Sequence, residues 1–574
     1  MSRLLAKLTV VNDISIGYGT LSRRLLVLVL LLCPLSAQSA GVEVPGAGSI
    51  LQQINPVAPP VPSSPGTGLR IEHKGGEKLP SSAPFPVKFI RITGNTVFGT
   101  AVLHALVQDA EGKRLTLAQL DGLAARITDY YHAHGYPLAR AVIPAQTIRL
   151  GSVRIEVIEA RFGKIRLDNR SRVSEHLLQD SLSALQSGSP ISQSVLDRSL
   201  LLLNDIPGVV VNATLKPGGA AGTSDLGIVT EPGQSIDGDI AFDNYGNKYT
   251  GRARLDGSVN FINPLHHGDV LSASGLTSGR GMNYARLSYE TLLSGSGTRL
   301  GGSYSALHYI LGGALSNLNG HGTAEVGSVW LRHPFARTVK FNLYGVLQYD
   351  DLKLKDHIDA SGIRTDRRLE NWTAGLSGDW RDTFLSNSVN TWRIGLTSGS
   401  AGFDDAAAQL ADSASAKTQG NFSKWNIAGS RLQELPAGNA VFLSFSGQWT
   451  NVNLDSAEKM VAGGPYTVRA YDMGVLSGDS GYLGSIELRH DLGHFLGQWQ
   501  AIAFYDSEHL VVNRDPWVVG EDGATLSGAG MGLAWAGPDQ WSARTYVATS
   551  VGPASILVPN AASARAWFEI GRSL

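Results

Sequence analysis

From Ile236 to the C-terminus, apolar and polar residues alternate with a period of two. Val339, Phe341, Leu343, Leu347 and Tyr349 share one face, and Lys340, Asn342, Tyr344 and Gln348 the other. Val441, Leu443, Phe445 and Trp449 oppose Ser444, Ser446, Gln448 and Thr450; Tyr482, Ile486 and Leu488 oppose Ser485, Glu487 and Arg489. Strands of ~10 residues with one apolar and one polar face are the pattern of a transmembrane barrel. A soluble sandwich also alternates, so the connections carry the distinction. The pattern predicts sixteen strands, starting near residues 236, 251, 268, 283, 299, 323, 338, 369, 390, 421, 440, 480, 500, 527, 541 and 565. Connections after even-numbered strands are expected to be short, as at Pro334–Arg337 and Gly537–Gln540. Those after odd-numbered strands are expected to be longer from the fifth onward, as at Ser400–Gly420 and Val452–Asp479. Short turns alternating with long loops characterise outer-membrane barrels, and an even strand count returns both ends to the periplasmic side.

Helical periodicity is confined to the first part of the chain. Strand Val87–Thr93 leads to helices Thr100–Val107 and Leu117–His132, which Gly135-Tyr136-Pro137 stops, then to strands Ala139–Pro144 and Ser152–Ala160. The same β-α-α-β-β order repeats as strand Gly163–Asp168, helices Ser174–Leu185 and Gln193–Asn204, and strands Val209–Leu215 and Asp225–Thr230. Residues 41–85 are rich in Pro, Gly and Ser, which makes a semi-extended linker. One short helical candidate interrupts it, Ser49–Ile54.

Composition narrows the class. Charged residues are 17% and glycines number 67 of 574, which suits closely spaced strands and turns. The formal net charge of −1 offers no global field for nucleic acid. Arg23 and Arg24 precede the apolar run Leu25–Leu32 and the small residues Ser36, Ala37, Ser39 and Ala40. That run is too short to cross a bilayer, so residues 1–40 read as a signal peptide. The one cysteine, Cys33, falls inside it, leaving a mature chain without disulfides or a thiol nucleophile.

The two α/β units resemble POTRA domains. In the second, Leu200–Val209 (LLLLNDIPGV) and Gly222-Thr223-Ser224-Asp225-Leu226 are similar to the second POTRA of two-partner secretion transporters, the haemolysin and filamentous-haemagglutinin type. Asp243-Asn244-Tyr245-Gly246-Asn247 and Thr250-Gly251-Arg252 resemble that family's first barrel hairpin. Val468-Arg469-Ala470-Tyr471 resembles its VRGY loop motif, with Ala470 in place of the usual glycine, and Phe504-Tyr505-Asp506 its F-x-D strand motif. The chain ends at Leu574, where family members commonly carry an aromatic residue.

The resemblance implies a mainly β fold: a sixteen-stranded antiparallel transmembrane barrel over 234–574, preceded by POTRA domains at 86–160 and 161–233. It implies an outer-membrane pore that recognises and secretes a large β-rich exoprotein bearing an N-terminal secretion domain. A haemolysin or an adhesin is the cargo to expect. The protein would be a monomer in outer-membrane lipid, without nucleotide, nucleic acid, metal or other cofactor, and not an enzyme. A barrel-assembly insertase of the same superfamily and a solute porin are the alternatives; two POTRA units favour secretion over both.

Two sets of residues are candidates for the pore's machinery. Ten extended residues separate Arg469 from Asp479 and reach ~33 Å, more than the apolar wall is tall, so the loop tip can fold inward. Asp506 lies on the face opposite Ala501, Ala503 and Tyr505 and should point into the lumen. A guanidinium and a carboxylate meeting there favour a bidentate pair. Val468, Arg469, Ala470, Tyr471, Phe504 and Asp506 are therefore the expected pore-loop lock. Ser49, Ile50, Leu51 and Ile54 are the expected plug helix.

Other motifs carry less. Gly478-Asp479-Ser480-Gly481 resembles a serine-protease nucleophile segment but has no positioned histidine and lies where a loop enters a strand. His266-His267 are adjacent, with rings expected on opposite faces, and complete no metal site. Trp330, Trp392, Trp449 and Trp499 are expected as anchors at the lipid interface.

Overall fold

The computed structural model describes residues 44–54, 66–71, 82–559 and 562–574. The expected signal peptide, with Cys33, lies outside the described residues, as does most of the Pro-rich stretch. Sixteen antiparallel strands close into a barrel, the first, Ile236–Asp243, pairing with the last, Ala564–Ser573. Among the sequence-derived starts, the largest displacement is the eighth strand, which begins at Ile363 rather than near 369.

The outward positions are apolar and exposed: Leu300, Val329, Leu331, Leu347, Trp372, Leu376, Trp425, Leu443, Phe445, Trp449, Ile486 and Leu488. So much contiguous apolar surface is untenable in water and favourable in hydrocarbon. Trp392, Trp449 and Trp499 share this outward parity. Trp330 does not: its indole Nε1 donates to Glu290 Oε2 at 2.8 Å inside the barrel, so it is no lipid anchor. Its register partner Gln348 and its own strand parity place it on the polar face.

Two connections differ from the sequence reading. Pro334–Arg337 is not a turn but the end of the sixth strand, Gly320–Arg337, with a register shift between Pro334 and Ala336. The connection after the seventh strand is only residues 359–362, whereas a long loop was expected. The length is in the strands instead: Phe341–Ile358 has 18 residues and Ile363–Asp382 has 20. About 9–11 residues cross a bilayer, so this hairpin projects past it. Its outer face changes accordingly from Leu347 and Trp372 to Asp351, Lys353, Lys355, Arg364, Asp366 and Arg368.

The first α/β unit has a three-stranded sheet, with Phe89–Thr93 parallel to Ser152–Ile158 and Arg140–Val142 antiparallel to it. Helix Leu117–Ala133 starts at a capping box formed by Thr116 and Gln119 and buries Leu120, Leu123, Ala124, Ile127 and Tyr131 against that sheet. The second unit pairs Arg161–Asn169, Thr223–Pro232 and Val209–Pro217, under helices Glu175–Ser181 and Gln193–Asn204. A fourth strand, Leu69–Ile71, joins this sheet from the linker, in parallel with Val209–Pro217. Glu159 fastens the two units to each other. It accepts from the Thr96 amide at 2.6 Å, the Val97 amide at 2.7 Å, the Tyr131 hydroxyl at 2.8 Å and the Thr96 hydroxyl, and it faces Arg161 at 3.3 Å.

The second unit docks on the barrel through Asp205, from the Leu200–Val209 motif. Arg337 Nε and Nη2 donate to its carboxylate at 2.7 and 2.8 Å, and Arg299 Nη2 donates to its carbonyl at 2.8 Å. Arg337 is fully buried and also donates to Asn342 Oδ1.

Candidate functional site in the barrel lumen

The connection between the eleventh strand, Asn439–Thr450, and the twelfth, Ser480–His494, turns into the barrel. Its stem is a two-stranded ribbon, Met460–Ala462 against Leu476–Gly478. Asp479, completely buried, fixes the base: it accepts from the Leu454 and Arg514 amides at 3.0 and 2.8 Å and pairs with Lys459 at 3.0 Å. Asp479 of the protease-like tetrapeptide is thus an anchor for loops. Its neighbour Ser480 accepts from the Thr450 amide at 3.1 Å.

The tip carries Arg469, 4% exposed. Its Nε and Nη2 donate to Asp506 Oδ2 and Oδ1 at 2.8 and 2.7 Å, and its amide donates to Oδ2 at 3.2 Å. The guanidinium lies 3.5 Å from the Phe504 ring centroid and 4.9 Å from that of Tyr546. Strand parity explains the set: Phe504 and Asp506 point inward from the thirteenth strand, Gln498–Val511, while Tyr505 faces outward. Val468, Ala470 and Tyr471 are buried around it. Ala470 keeps a negative φ, so its departure from glycine needs no left-handed backbone. The extra methyl group is accommodated by Gly528, where any Cβ would collide with the Cβ of Ala470.

Several residues join this site that the sequence had not placed in it. Glu487 accepts from Arg469 Nη1 at 2.7 Å and from Arg489, and Ser485 bridges Arg469 and Asp506. Trp567, on the last strand, donates to the Arg469 carbonyl at 2.7 Å. Asp472 pairs with Arg252 of the first hairpin and Arg565 of the last strand, at 2.7 and 2.6 Å. Asn244 brackets the closing seam, donating to the Ala566 carbonyl and accepting from the Phe568 amide. The inward parity of Glu487 was legible; its contact with Arg469 was not.

The helix Ala47–Ile54 lies within the barrel and begins two residues earlier than the sequence pattern placed it. Ile50 and Leu51 pack among Tyr284, Leu307, Tyr309, Leu352, Leu354 and Leu369 of the wall and Leu454 of the loop. Ser49 exchanges hydrogen bonds with Gly46 at the helix start, and Ile54 is half-buried at its end. The Ala47 amide donates to Asp356 Oδ1 at 2.6 Å, a favourable place for a carboxylate at the positive helix terminus. Arg367 links that carboxylate to the loop, reaching Asp356 at 2.6 Å and Asp455 at 2.5 Å. Gln52 donates to the Ala457 carbonyl, and Gln53 accepts from Asn247 at 3.1 Å. A cavity of about 200 Å³ remains beside the helix, lined in part by Gln52, Arg393, Lys424 and Gln448.

His266 and His267 lie in the turn between the second and third strands, where the His266 carbonyl accepts from the Ser174 amide and the His267 ring Nδ1 donates to the Leu265 carbonyl at 2.7 Å. Among the described residues no group of His, Cys, Asp and Glu is arranged to hold a metal ion. No described helix is long and apolar enough to cross a membrane.

A closed sixteen-stranded barrel with a lipid-facing apolar belt, periplasmic α/β units and an inward-folded loop defines an outer-membrane POTRA-barrel transporter. Comparison with known proteins gives the family. The model of the haemolysin secretion/activation proteins ShlB/FhaC/HecB matches residues 222–534, and that of the ShlB-type POTRA domain matches residues 85–160. The chain belongs to the haemolysin secretion/activation family, the outer-membrane transporters of two-partner secretion. It is 29% identical to the heme/hemopexin transporter protein HuxB of Haemophilus influenzae over 415 residues, 72% of this chain and 73% of that one. It is 25% identical to the outer membrane transporter CdiB of Escherichia coli over 468 residues, 78% and 76% of the two chains. The solved structure of Escherichia coli CdiB superposes with a TM-score of 0.68, at 21% identity, over 88% of this chain and 92% of that one, which shows the shared fold.

Proposed function

We propose that this transporter secretes a large β-rich exoprotein and is closed at rest by two devices, the helix Ala47–Ile54 as plug and the Arg469–Asp506 pair as loop lock. Relatives are named for heme/hemopexin transport and for haemolysin transport, so a haemolysin, a haem-scavenging protein or an adhesin is the cargo class to test. The cargo's N-terminal secretion domain meets the POTRA pair, which presents sheet edges on the periplasmic side. No step of this scheme uses a nucleotide or another cofactor; folding of the cargo outside the cell supplies direction.

The observation that carries the reading is the shared arginine. Arg367 holds both the carboxylate at the plug's N-terminus and the loop's Asp455. Plug and loop are therefore parts of one obstruction. The test is conductance in planar bilayers. Deleting residues 41–60 should raise the open-channel current of an otherwise folded barrel; unchanged current would leave the helix an inert leader.

A further inference from the structure

The thirteenth strand carries a second inward carboxylate that the lock leaves idle. Phe504, Asp506 and Glu508 alternate along its inner face and are all buried. Arg469 holds Asp506, whereas neither oxygen of Glu508 has a hydrogen-bond partner among the described residues. Glu508 is 1% exposed. Thr467, two residues before Arg469 on the loop tip, approaches it, and the Thr467 hydroxyl is also buried without a partner. A carboxylate left idle at that depth is among the most costly groups a fold can hold. Its presence calls for a state in which it is used.

The geometry supplies the partner. Alternate residues of a strand lie ~7 Å apart, so Glu508 stands one step from Asp506 on the same wall. That step leads toward the base of the loop. Asp479, which anchors the base, donates its amide to the Val512 carbonyl at 3.3 Å and accepts from the Arg514 amide at 2.8 Å, just past the outer end of the strand. The tip can travel as a unit. Gly463, Gly464 and Gly474 bound it with φ of +85°, +111° and +64°. Inside it the Gly464 amide donates to the Tyr471 carbonyl and the Tyr471 amide to the Val468 carbonyl. In either seat Arg469 covers one carboxylate and leaves the other, while Glu487 keeps Arg489. The exchange therefore costs far less than drawing the guanidinium out past Leu510, the next inward residue, with no acceptor. The tip also touches the plug: Asn247 donates to both Gln53 and the Met473 carbonyl, at 3.1 and 3.0 Å.

We propose that Glu508 is the second seat of Arg469. During transport the tip moves one step outward, exchanges Asp506 for Glu508 and gives up the contact it shares with Gln53. Glu508 is thus a positioning residue of the working state and is idle at rest. The inference rests on the lock reading of Arg469 and Asp506.

The test follows the tip along the wall. In the full chain with Cys33→Ser, spin labels are placed at Tyr466→Cys, half exposed on the tip, and at Gln498→Cys, exposed at the periplasmic end of the thirteenth strand. Asp506→Asn empties the resting seat and should lengthen the principal distance by about 7 Å. Asp506→Asn combined with Glu508→Gln should lack that longer distance. No lengthening in the single variant, or equal lengthening in both, overturns the proposal. Secretion gives the second readout. Glu508→Gln, which keeps the shape of the side chain, should leave the resting distance unchanged and lower secretion about tenfold, and Glu508→Asp should restore most of it. Normal secretion by Glu508→Gln, with Arg469→Ala impaired, removes the second seat and leaves the lock. Normal secretion by Arg469→Ala removes both.

Discussion

Arg469, at the tip of a loop that starts outside the barrel, holds Asp506 through two side-chain hydrogen bonds of 2.8 and 2.7 Å inside it. Both residues are almost completely buried. Arg469→Ala strands Asp506 without its cation and leaves Glu487 with Arg489 alone, at a cost of about 3–5 kcal/mol to the docked loop. The barrel should still insert, because none of these groups touches lipid, while secretion falls at least tenfold. Arg469→Lys should not restore it, since an ammonium cannot span both Asp506 oxygens and Glu487. Heat-modifiable mobility on gels checks the barrel, and exoprotein in the medium checks transport; wild-type secretion by Arg469→Ala removes the role.

Asp356 carries the plug's N-terminus and faces Tyr309 and Arg367. Asp356→Asn removes the charge from the helix terminus and from the pair with Arg367. A loss of about 1–2 kcal/mol there should multiply the open fraction roughly tenfold. Single-channel recording of the variant in bilayers measures this directly. An open fraction equal to wild type would show that apolar packing of Ile50 and Leu51 alone seats the helix.

Asp205→Ala removes the carboxylate to which Arg337 Nε and Nη2 donate and leaves the donation of Arg337 to Asn342 Oδ1 in place. The Asp205 side chain is a third exposed, so the docking of the second α/β unit should weaken by only about 1–2 kcal/mol. Spin labels on that unit and on the periplasmic turns should report a broader distance distribution. An unchanged distribution would assign the docking to the apolar contact of Ile206 with Leu292 and its neighbours instead.

Acid should loosen the first α/β unit before the barrel. Burial by itself raises the pKa of Glu159, but donation from the Thr96 hydroxyl, the Val97 and Thr96 amides and the Tyr131 hydroxyl outweighs it and holds the carboxyl below its ordinary value of 4.5. A group lowered in the folded state contributes stability that is complete above its unfolded value and is lost as pH falls through the folded one. Hydrogen exchange of residues 95–97 and 127–131 should therefore quicken below about pH 4.5 in the wild type. In Glu159→Gln it should be fast already at pH 7 and depend less on acid. Equal protection in both proteins at pH 7 would discard the assignment.

Which parts of this protein were local in origin is visible residue by residue. Alternation with a period of two depends only on the strand's own geometry, so the sequence by itself determined the sixteen strands, the inward direction of Asp506 and the outward direction of Tyr505. Turn chemistry and helical periodicity determined the β-α-α-β-β order of the two N-terminal units in the same way. Parity failed where length intervened: the seventh and eighth strands run on past the bilayer, and Pro334–Arg337 stays in its strand through a bulge. The tertiary structure alone decided that Glu487 and Trp567 meet Arg469, that Arg367 joins Asp356 to Asp455, and that Asp205 meets Arg337. Each such meeting depends on how far neighbouring strands are staggered when the barrel closes, and no stretch of sequence encodes stagger by itself. It also decided that Gly68–Ile71, too short to show any period, forms a strand, because the edge it completes belongs to residues 209–217 and only folding brings the two together.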